Sequence, residues 1–522
     1  MTGGSTAAGD LLARDFGTIS ALVRAQARMR PTQAALLHDG ERLTYSALDQ
    51  TANRIARALQ REGLRPRDAI AICAATTIEY VAIFLGGLRA GAAVAPLAPS
   101  SAPRTLAAMI GDSGARKLFL DRSAADALRD SAPAALAMTV VIDDFGPGGL
   151  QQWLATAEAA PAPVDAQPHW PFNIIYSSGT TGVPKGIVQP HAFRWSNIRR
   201  AAMFGYDADS VTLLATPLYS NTTLATLFGA LALGGTVVLM GKFDAGHYLA
   251  LAEACRATHT VLVPVQYQRL LAHENFDKRD LASFRLKFST GAPFVPALKQ
   301  QVLRRWPGGL IEIYGTTEGG GACMLEAHKY PNKLHTVGTP MPRNDIRLID
   351  DAGREVAAGE TGEIVGHSPA MMTGYLNQPS QTREAEWFDA GGQRFIRSGD
   401  IGRLDADGFL VLLDRKKDMI ISGGFNLYCS DLEAVLREHP DVEEAAVVGQ
   451  PSERWGETPF ACVVLKRDAA VDAEQLMVWA NERLGKMQRI SAVKILPGLP
   501  RNAAGKILKR ELRDSLADTA HG

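Results

Sequence analysis

The sequence predicts an α/β protein with a large N-terminal domain, a β-rich part late in that domain, and a small α+β domain at the C-terminus. Three observations lead there. Helical apolar periodicity alternates with short apolar runs through roughly the first 300 residues, the pattern of βα units around a largely parallel sheet. After about residue 340 the texture changes to short strands and turns. A charged run, Asp414-Arg415-Lys416-Lys417-Asp418, then separates this part from a last segment in which helices and strands resume.

Taken in order, Met1 to Asp10 is small and polar and is expected to lack structure. Leu48, Ala52, Ile55, Ala56 and Leu59 recur at helical spacing, and the helix stops at Gly63. Ala69 to Ala74 is a strand, Ile78 to Ala90 a helix closed by Gly91, and Ala92 to Leu97 the next strand. The alternation repeats around Ala107 to Leu120. Ala155 to Pro171, rich in alanine and proline, is a linking loop, and Phe172 to Ile175 is the end of a strand. Leu224 to Met240 contains Gly229, Gly234 and Gly235, too broken for a membrane span, so it reads as buried helix then buried strand. His247 to Pro264 is a helix leading to the strand Thr260-Val261-Leu262-Val263, and Leu286-Lys287-Phe288 begins another. The β-rich part has strands at Asp345 to Ile349, Gly362 to Gly366 and Gly408 to Leu412. Beyond the charged run, Leu432 to His439 and Glu474 to Leu484 are helices, and Glu444 to Gly449 and Ala461 to Leu465 are strands. The expected domains are 1–414 and 415–522.

Composition narrows the function. A chain of 522 residues is long enough for three or four domain-sized units. Lys plus Arg and Asp plus Glu number 55 each, and zero net charge argues against a nucleic-acid binder while leaving room for a local basic patch. Cys73, Cys255, Cys323, Cys429 and Cys462 are scattered and form no C-x-x-C pair, which argues against zinc and disulfide frameworks and for a reducing cytoplasm. The N-terminus lacks the basic-then-apolar order of a signal peptide, and no integral membrane segment is expected. A homodimer is compatible with the sequence.

The chemistry is concentrated in a few short motifs. Tyr176-Ser177-Ser178-Gly179-Thr180-Thr181-Gly182-Val183-Pro184-Lys185-Gly186 packs hydroxyls, glycines and a lysine behind a strand. Glycines let backbone N–H groups close around a polyanion, and Lys185 adds charge. It is not a Walker A loop, because Gly182 is followed by Val183-Pro184-Lys185-Gly186; a flexible polar surface loop would have a similar composition. Ile311-Glu312-Ile313-Tyr314-Gly315-Thr316-Thr317-Glu318 is a strand running into a turn, where side chains face the ligand crevice of an α/β sheet. There Tyr314 can stack on a base, Thr317 can donate to a phosphate, and Glu318 can bind Mg²⁺. An ordinary strand end with a core tyrosine is the alternative.

In order and spacing, these segments resemble the adenylate-forming superfamily of acyl-CoA synthetases, luciferases and peptide-synthetase adenylation domains, closest to the acyl-CoA synthetases. The resemblance covers about residues 40 to 510. It also takes in Ser289-Thr290-Gly291-Ala292-Pro293, Ser398-Gly399-Asp400, the 414–424 segment and Pro500-Arg501-Asn502-Ala503-Ala504-Gly505-Lys506. It implies two βα-type sheets plus the β-rich part, followed by a mobile C-terminal domain. By the same resemblance, Ser177 to Gly182 and Lys185 hold ATP's phosphates, with Thr181 catalytic, and Gly291, Ala292 and Pro293 line the adenine side. Tyr314, Gly315, Thr316 and Thr317 also contact the nucleotide, and Glu318 holds Mg²⁺. Asp400 and Arg415 bind ribose, Lys417 is the hinge, Gly423 and Gly424 pass a pantetheine arm, and Lys506 is the catalytic lysine.

The implied reaction joins a carboxylic acid to coenzyme A at the expense of ATP, through an acyl-adenylate. The acid pocket is expected at Tyr219, Ser220, Asn221, Val265, Gln266 and Ala292. Many acyl-CoA synthetases carry His where Ser220 stands. Malonate-type relatives have an arginine where Ile313 stands, which favours a monocarboxylic acid, fatty or aromatic. Two alternatives stand beside the ligase: an adenylation enzyme that loads a separate carrier protein or feeds an oxidation, and a non-catalytic nucleotide-binding regulator. Asp514-Ser515-Leu516 mimics a phosphopantetheine attachment site but reads as a helix end.

Overall fold

The computed structural model describes residues 7–132, 135, 138–144, 149–154, 160–177, 184–422, 425–485, 488–501 and 506–520. The chain divides into two compact units, one of Met1–Leu334, Pro340–Asp345 and Gly366–Ile396, the other of His335–Thr339, Ile346–Val365 and Arg397–Gly522.

Two sheets organise the first unit. In a seven-stranded sheet the order is Gly374–Tyr375, Lys185–Pro190, Pro171–Ser177, Ala93–Pro96, Ala69–Cys73, Ala115–Leu120 and Thr139–Val141. All five residues of Ala69–Cys73 are buried, as befits a parallel strand covered on both faces. The other sheet has nine strands, eight of which run in the order Ala322–Glu326, Gly309–Gly315, Leu286–Ser289, His259–Leu262, Val211–Leu214, Thr236–Leu239, Ala34–His38 and Glu41–Thr44. Its centre is parallel, while Ala322–Glu326 and Glu41–Thr44 pair antiparallel with Gly309–Gly315 and Ala34–His38.

Local chemistry sets the helices. The helix expected to stop at Gly63 is Tyr45–Arg61, and the Thr44 hydroxyl accepts from the Ala47 N–H at 3.2 Å to cap it. Its Leu48, Ala52, Ile55 and Leu59 are buried, and it packs on Ile78–Arg89. That approach is so close that a Cβ on Gly86 would lie 2.5 Å from Ile55. The helix-then-strand reading of Leu224 to Met240 corresponds to Asn221–Ala232 and Thr236–Leu239. Among the described residues no helix is long and apolar enough to cross a membrane.

The second unit holds most of a sheet in the order Asp345–Ile349, Gly362–His367 and Arg394–Leu404, with Leu410–Arg415 antiparallel to the last. Asp400 lies opposite Arg415 in that ladder. The second unit takes in Ile346–Val365 of the β-rich part together with Arg397–Gly522. A further sheet runs Phe425–Leu427, Ile420–Ser422, Gly456–Leu465 and Val442–Ser452. Around it lie the helices Cys429–Arg437, Ala473–Asn481 and Lys509–Ala520.

Two expectations are corrected. Ala7 to Asp10 are not structureless: they open a helix, Ala7–Leu12, in which Ala8 is buried. Ser515 is not at a helix end but inside Lys509–Ala520, where its hydroxyl donates back to the Leu512 carbonyl at 2.9 Å. Leu512 and Leu516 of that helix are buried against Ala446, Val448 and Cys462, so packing continues the helix past the polar Asp514-Ser515 pair.

Strand Gly309–Gly315, which runs into the Tyr314–Glu318 turn, is anchored from within by a buried ion pair. Glu312 and Lys299 are 4% and 2% exposed, and their side chains pair directly. Lys299 Nζ also donates to the Leu334 carbonyl at 2.7 Å. Burial raises the Glu312 carboxyl, and Lys299 opposes the rise. Removing one partner of such a pair strands the other charge, so Lys299→Ala is expected to cost about 3–5 kcal/mol in denaturant unfolding. Replacing both, Lys299→Met with Glu312→Leu, is expected to cost much less.

Candidate active site

Four candidate segments follow the C-terminal ends of four neighbouring parallel strands. Tyr219–Asn221 follow Val211–Leu214, Val265–Gln266 follow His259–Leu262, and Gly291–Pro293 follow Leu286–Ser289. Tyr314–Glu318 close the fourth, Gly309–Gly315. Parallel strands end on one edge, so the topology gathers the expected acid, adenine and metal residues where an α/β sheet opens its crevice.

The turn at the fourth strand is tightly built. Thr316 Oγ1 donates to the Gly319 carbonyl, and the Gly319 N–H to the Thr316 carbonyl, both at 3.1 Å. Gly319 has φ +77°, and a Cβ there would lie 2.0 Å from the Ala370 carbonyl oxygen, so only glycine fits after Glu318. The Met372 N–H donates to the Glu318 carbonyl at 2.8 Å, holding that residue from the other side.

Glu318 then meets Lys185 through a residue that the motifs did not include. Tyr375 donates its O–H to Glu318 Oε1 at 2.8 Å, and Lys185 Nζ sits 5.1 Å from the centre of the Tyr375 ring. Burial, then the Glu318 charge, raise the Tyr375 phenol above its ordinary value. Ser177 lies opposite Lys185 at the mouth of the hairpin formed by Pro171–Ser177 and Lys185–Pro190. Ser178, Gly179, Thr180, Thr181 and Gly182, within that loop, lie outside the described residues.

On the acid side, Tyr219, Ser220, Asn221 and Val265 are partly exposed and Ala292 half-buried. Burial raises the Tyr219 phenol. Ser220 precedes helix Asn221–Ala232, and its carbonyl accepts from the Leu224 N–H at 3.1 Å. Gln266 is buried with both ends of its amide engaged: Nε2 donates to the Ala215 carbonyl at 2.9 Å, and Oε1 accepts from the Val263 N–H at 3.0 Å. One N–H of the Gln266 amide and one lone pair of its oxygen are thus committed to backbone.

The second unit brings together its own candidates. Asp400, buried, receives Arg415 Nε at 2.8 Å. The Ser398 hydroxyl donates to the Ile364 carbonyl at 2.8 Å and accepts from the Asp400 N–H at 3.0 Å, which sets the Asp400 backbone. Lys506 lies within electrostatic range of this pair and of Lys417. Burial, then the Arg415 charge, pull its ammonium from the usual 10.5 down to about 8, with Asp400 opposing. Lys417 is exposed in the turn after Leu410–Arg415. Gly423 and Gly424, between strands Ile420–Ser422 and Phe425–Leu427, lie outside the described residues, as do 502–505.

Among the described residues no group of three or more His, Cys, Asp or Glu side chains is placed to hold a metal ion. Mg²⁺ keeps several waters and binds through one or two carboxylates plus substrate phosphates, and Glu318 offers one such carboxylate beside a lysine.

Sequence reasoning missed Tyr375, Gly319 and the buried Asn173, Gln189 and Arg194. The glycine run Gly319-Gly320-Gly321 was a visible signal after Glu318. Nothing in local spacing marks Tyr375, which reaches Glu318 only through strand pairing with Lys185–Pro190.

Residues 23–376 match the AMP-binding enzyme family, and residues 431–506 its AMP-binding enzyme C-terminal domain. The chain belongs to the AMP-binding enzyme family. It is 34% identical over 502 residues to a feruloyl-CoA synthase of Amycolatopsis sp, covering 94% of this chain and 97% of that one. It is 33% identical over 516 residues to an indoleacetate–CoA ligase of Aromatoleum aromaticum, with 96% and 98% covered. Among solved structures, ATP-bound MatB from Rhodopseudomonas palustris superposes with a TM-score of 0.86 at 28% identity, covering 96% of this chain and all of that one (100%).

Two outcomes follow from the geometry. Tyr375→Phe removes one hydrogen bond to a charged group, worth about 1.5–3 kcal/mol, so the KM for MgATP is expected to rise roughly ten- to a hundredfold in steady-state kinetics. Lys506 is charged below about pH 8 and neutral above it. If its charge binds anions, kcat/KM for ATP falls above about pH 8, and Lys506→Arg carries activity to higher pH. The unfolded chain holds this proton up to about 10.5, so between about 8 and 10.5 its contribution to stability rises with pH, which unfolding titrations check.

Proposed function

We propose that the protein is an ATP-dependent carboxylate–CoA ligase acting on a fatty or aromatic monocarboxylic acid, with AMP and pyrophosphate as products. The observation that carries this reading is the meeting of Lys185 and Glu318 on Tyr375. One cation for phosphates and one carboxylate for their Mg²⁺ come from distant segments to a single side chain. Feruloyl-CoA synthase and indoleacetate–CoA ligase, by name, act on aromatic acids, which supports the substrate class.

In the first half-reaction a carboxylate oxygen attacks the α-phosphorus of ATP. A C(O)–O–P bond forms, the Pα–O–Pβ bond breaks, and pyrophosphate leaves. Positioning and charge neutralisation do most of the work in such a transfer. Ser177 to Gly182 and Lys185 would bind the phosphates, with Thr180 to Lys185 over the β and γ groups and Thr181 catalytic. Mg²⁺ held by Glu318 would neutralise phosphate charge. Gly291, Ala292 and Pro293 flank adenine, Tyr314 stacks on it, Gly315, Thr316 and Thr317 form the turn beside it, and Asp400 and Arg415 hold ribose. Lys506 orients the carboxylate and the α-phosphate oxygens. In the second half-reaction a thiolate attacks the acyl carbonyl, and the carbonyl–oxygen bond to AMP breaks. The 415–522 domain would turn about Lys417 between the two steps, with Gly423 and Gly424 along the pantetheine arm. Tyr219, Ser220, Asn221, Val265, Gln266 and Ala292 wall the acid pocket.

The test is a panel of ferulate, indoleacetate, octanoate, palmitate and malonate, followed for AMP and pyrophosphate with and without CoA. At least one monocarboxylate is expected to give a CoA-dependent thioester. Acid-dependent pyrophosphate with no thioester would sink the ligase reading. Lys506→Ala is expected to lose adenylation by several orders of magnitude while keeping thioester formation from supplied acyl-adenylate; equal loss of both steps would refute this division of labour.

A further inference from the structure

Arg194 is among the most deeply buried charges in the first unit, at 1% exposure. Its partners are all neutral. Nε donates to Asn173 Oδ1 at 3.1 Å, and one terminal nitrogen to the Asn221 carbonyl at 3.2 Å. The other terminal nitrogen donates to Gln189 Oε1 at 2.6 Å and to Asn221 Oδ1 at 2.7 Å. No carboxylate among the described residues pairs with it, and burial alone lowers its ordinary value to about 9. Four of the five guanidinium N–H groups are thus engaged, so the side chain has little left to offer a substrate directly.

Fold stability does not account for this charge. The rings of Phe172 and Phe193 lie 5.7 and 5.5 Å from its guanidinium, but burying a cation without a carboxylate partner still costs free energy. Asn221 opens helix Asn221–Ala232, and a cation at a helix N-terminus opposes the helix dipole. What the charge does is tie segments together. Asn173 lies in the strand entering the phosphate loop and Gln189 in the strand leaving it, and the two face each other in the ladder. Asn173 Nδ2 donates to Gln189 Oε1 at 3.0 Å. Gln189 Nε2 then donates to the Thr317 carbonyl, next to Glu318, at 2.6 Å. Asn221 belongs to the acid-side turn.

We propose that Arg194 is a positioning residue that locks the acid-side turn at Asn221 to the metal-side turn at Thr317 through Gln189, so that acid and MgATP are held in register for attack. The proposal rests on the ligase reading above. It concerns the rate of adenylation rather than the affinity for either substrate, because the network touches the backbone of both turns.

Gln189→Glu tests it most directly. The new carboxylate still accepts from Arg194 and Asn173, but it has no N–H to give the Thr317 carbonyl. Acid-dependent exchange of pyrophosphate into ATP is measured with whichever of ferulate, indoleacetate or palmitate is fastest for the unaltered protein. The expected result is a kcat at least about tenfold lower with KM for acid and MgATP within about threefold, and thermal unfolding unchanged or raised. Arg194→Met should show the same kinetic split. Wild-type kcat per folded molecule in Gln189→Glu would overturn the proposal. So would failure of that variant to fold, since the tie to Thr317 would then be a requirement of the fold. No acid-dependent exchange from the unaltered protein would instead defeat the ligase reading itself.

Discussion

A guanidinium taken out of water, with no carboxylate beside it among the described residues, must be satisfied by neutral oxygens, and in the first unit that demand falls on Asn173, Gln189 and Asn221. Meeting it fixes more than one side chain. Asn173 and Gln189 face each other across the hairpin of Pro171–Ser177 and Lys185–Pro190, so the hairpin's register is bound to Arg194. Gln189 passes the constraint to Thr317, and Asn221 passes it to the start of a helix. Buried polar networks of this kind tolerate few alternatives, because each unmade bond leaves a desolvated group.

The parallel sheet supplies the other half of the arrangement. Four adjacent strands end on one edge, and each is followed by a segment with a different chemical character: aromatic and amide at Tyr219–Asn221, apolar at Val265, small at Gly291–Pro293, hydroxyl and carboxylate at Thr316–Glu318. The edge is held in place by contacts behind it, including the buried Glu312–Lys299 pair and the Gln266 amide. In the second unit the ladder that sets Asp400 opposite Arg415 does similar work. It places a carboxylate and a guanidinium side by side within range of the Lys506 ammonium.

Much of this was legible in the chain. Leu48 to Leu59, Ala69 to Ala74 and Ile78 to Ala90 carry periods of apolar residues that admit one reading each, and the helices and strands lie within a few residues of those bounds. Helix Ala7–Leu12 was not legible, because Ala7 to Asp10 have no apolar period of their own and depend on burial of Ala8. The polar Asp514-Ser515 pair suggested a helix end, yet Leu512 and Leu516 pack inward and carry the helix through it. The candidate site divides in the same way. Lys185, Glu318, Asp400 and Lys506 stand in ordered motifs, while Tyr375 and Arg194 stand in none.

The sequence by itself determined the local elements, the family-like motifs and the chemical types available for holding a nucleotide. These are encoded in neighbours along the chain, through turn glycines, hydroxyl runs and apolar periods. Only the tertiary structure decided which of those groups meet. Tyr375 reaches Glu318 and Lys185 because a two-residue strand pairs with Lys185–Pro190. Arg194 links two turns because, once buried, its N–H groups are met by Asn173, Gln189 and Asn221, and Gln189 reaches Thr317. Contacts of that kind depend on strand order and desolvation, which no single stretch of residues carries.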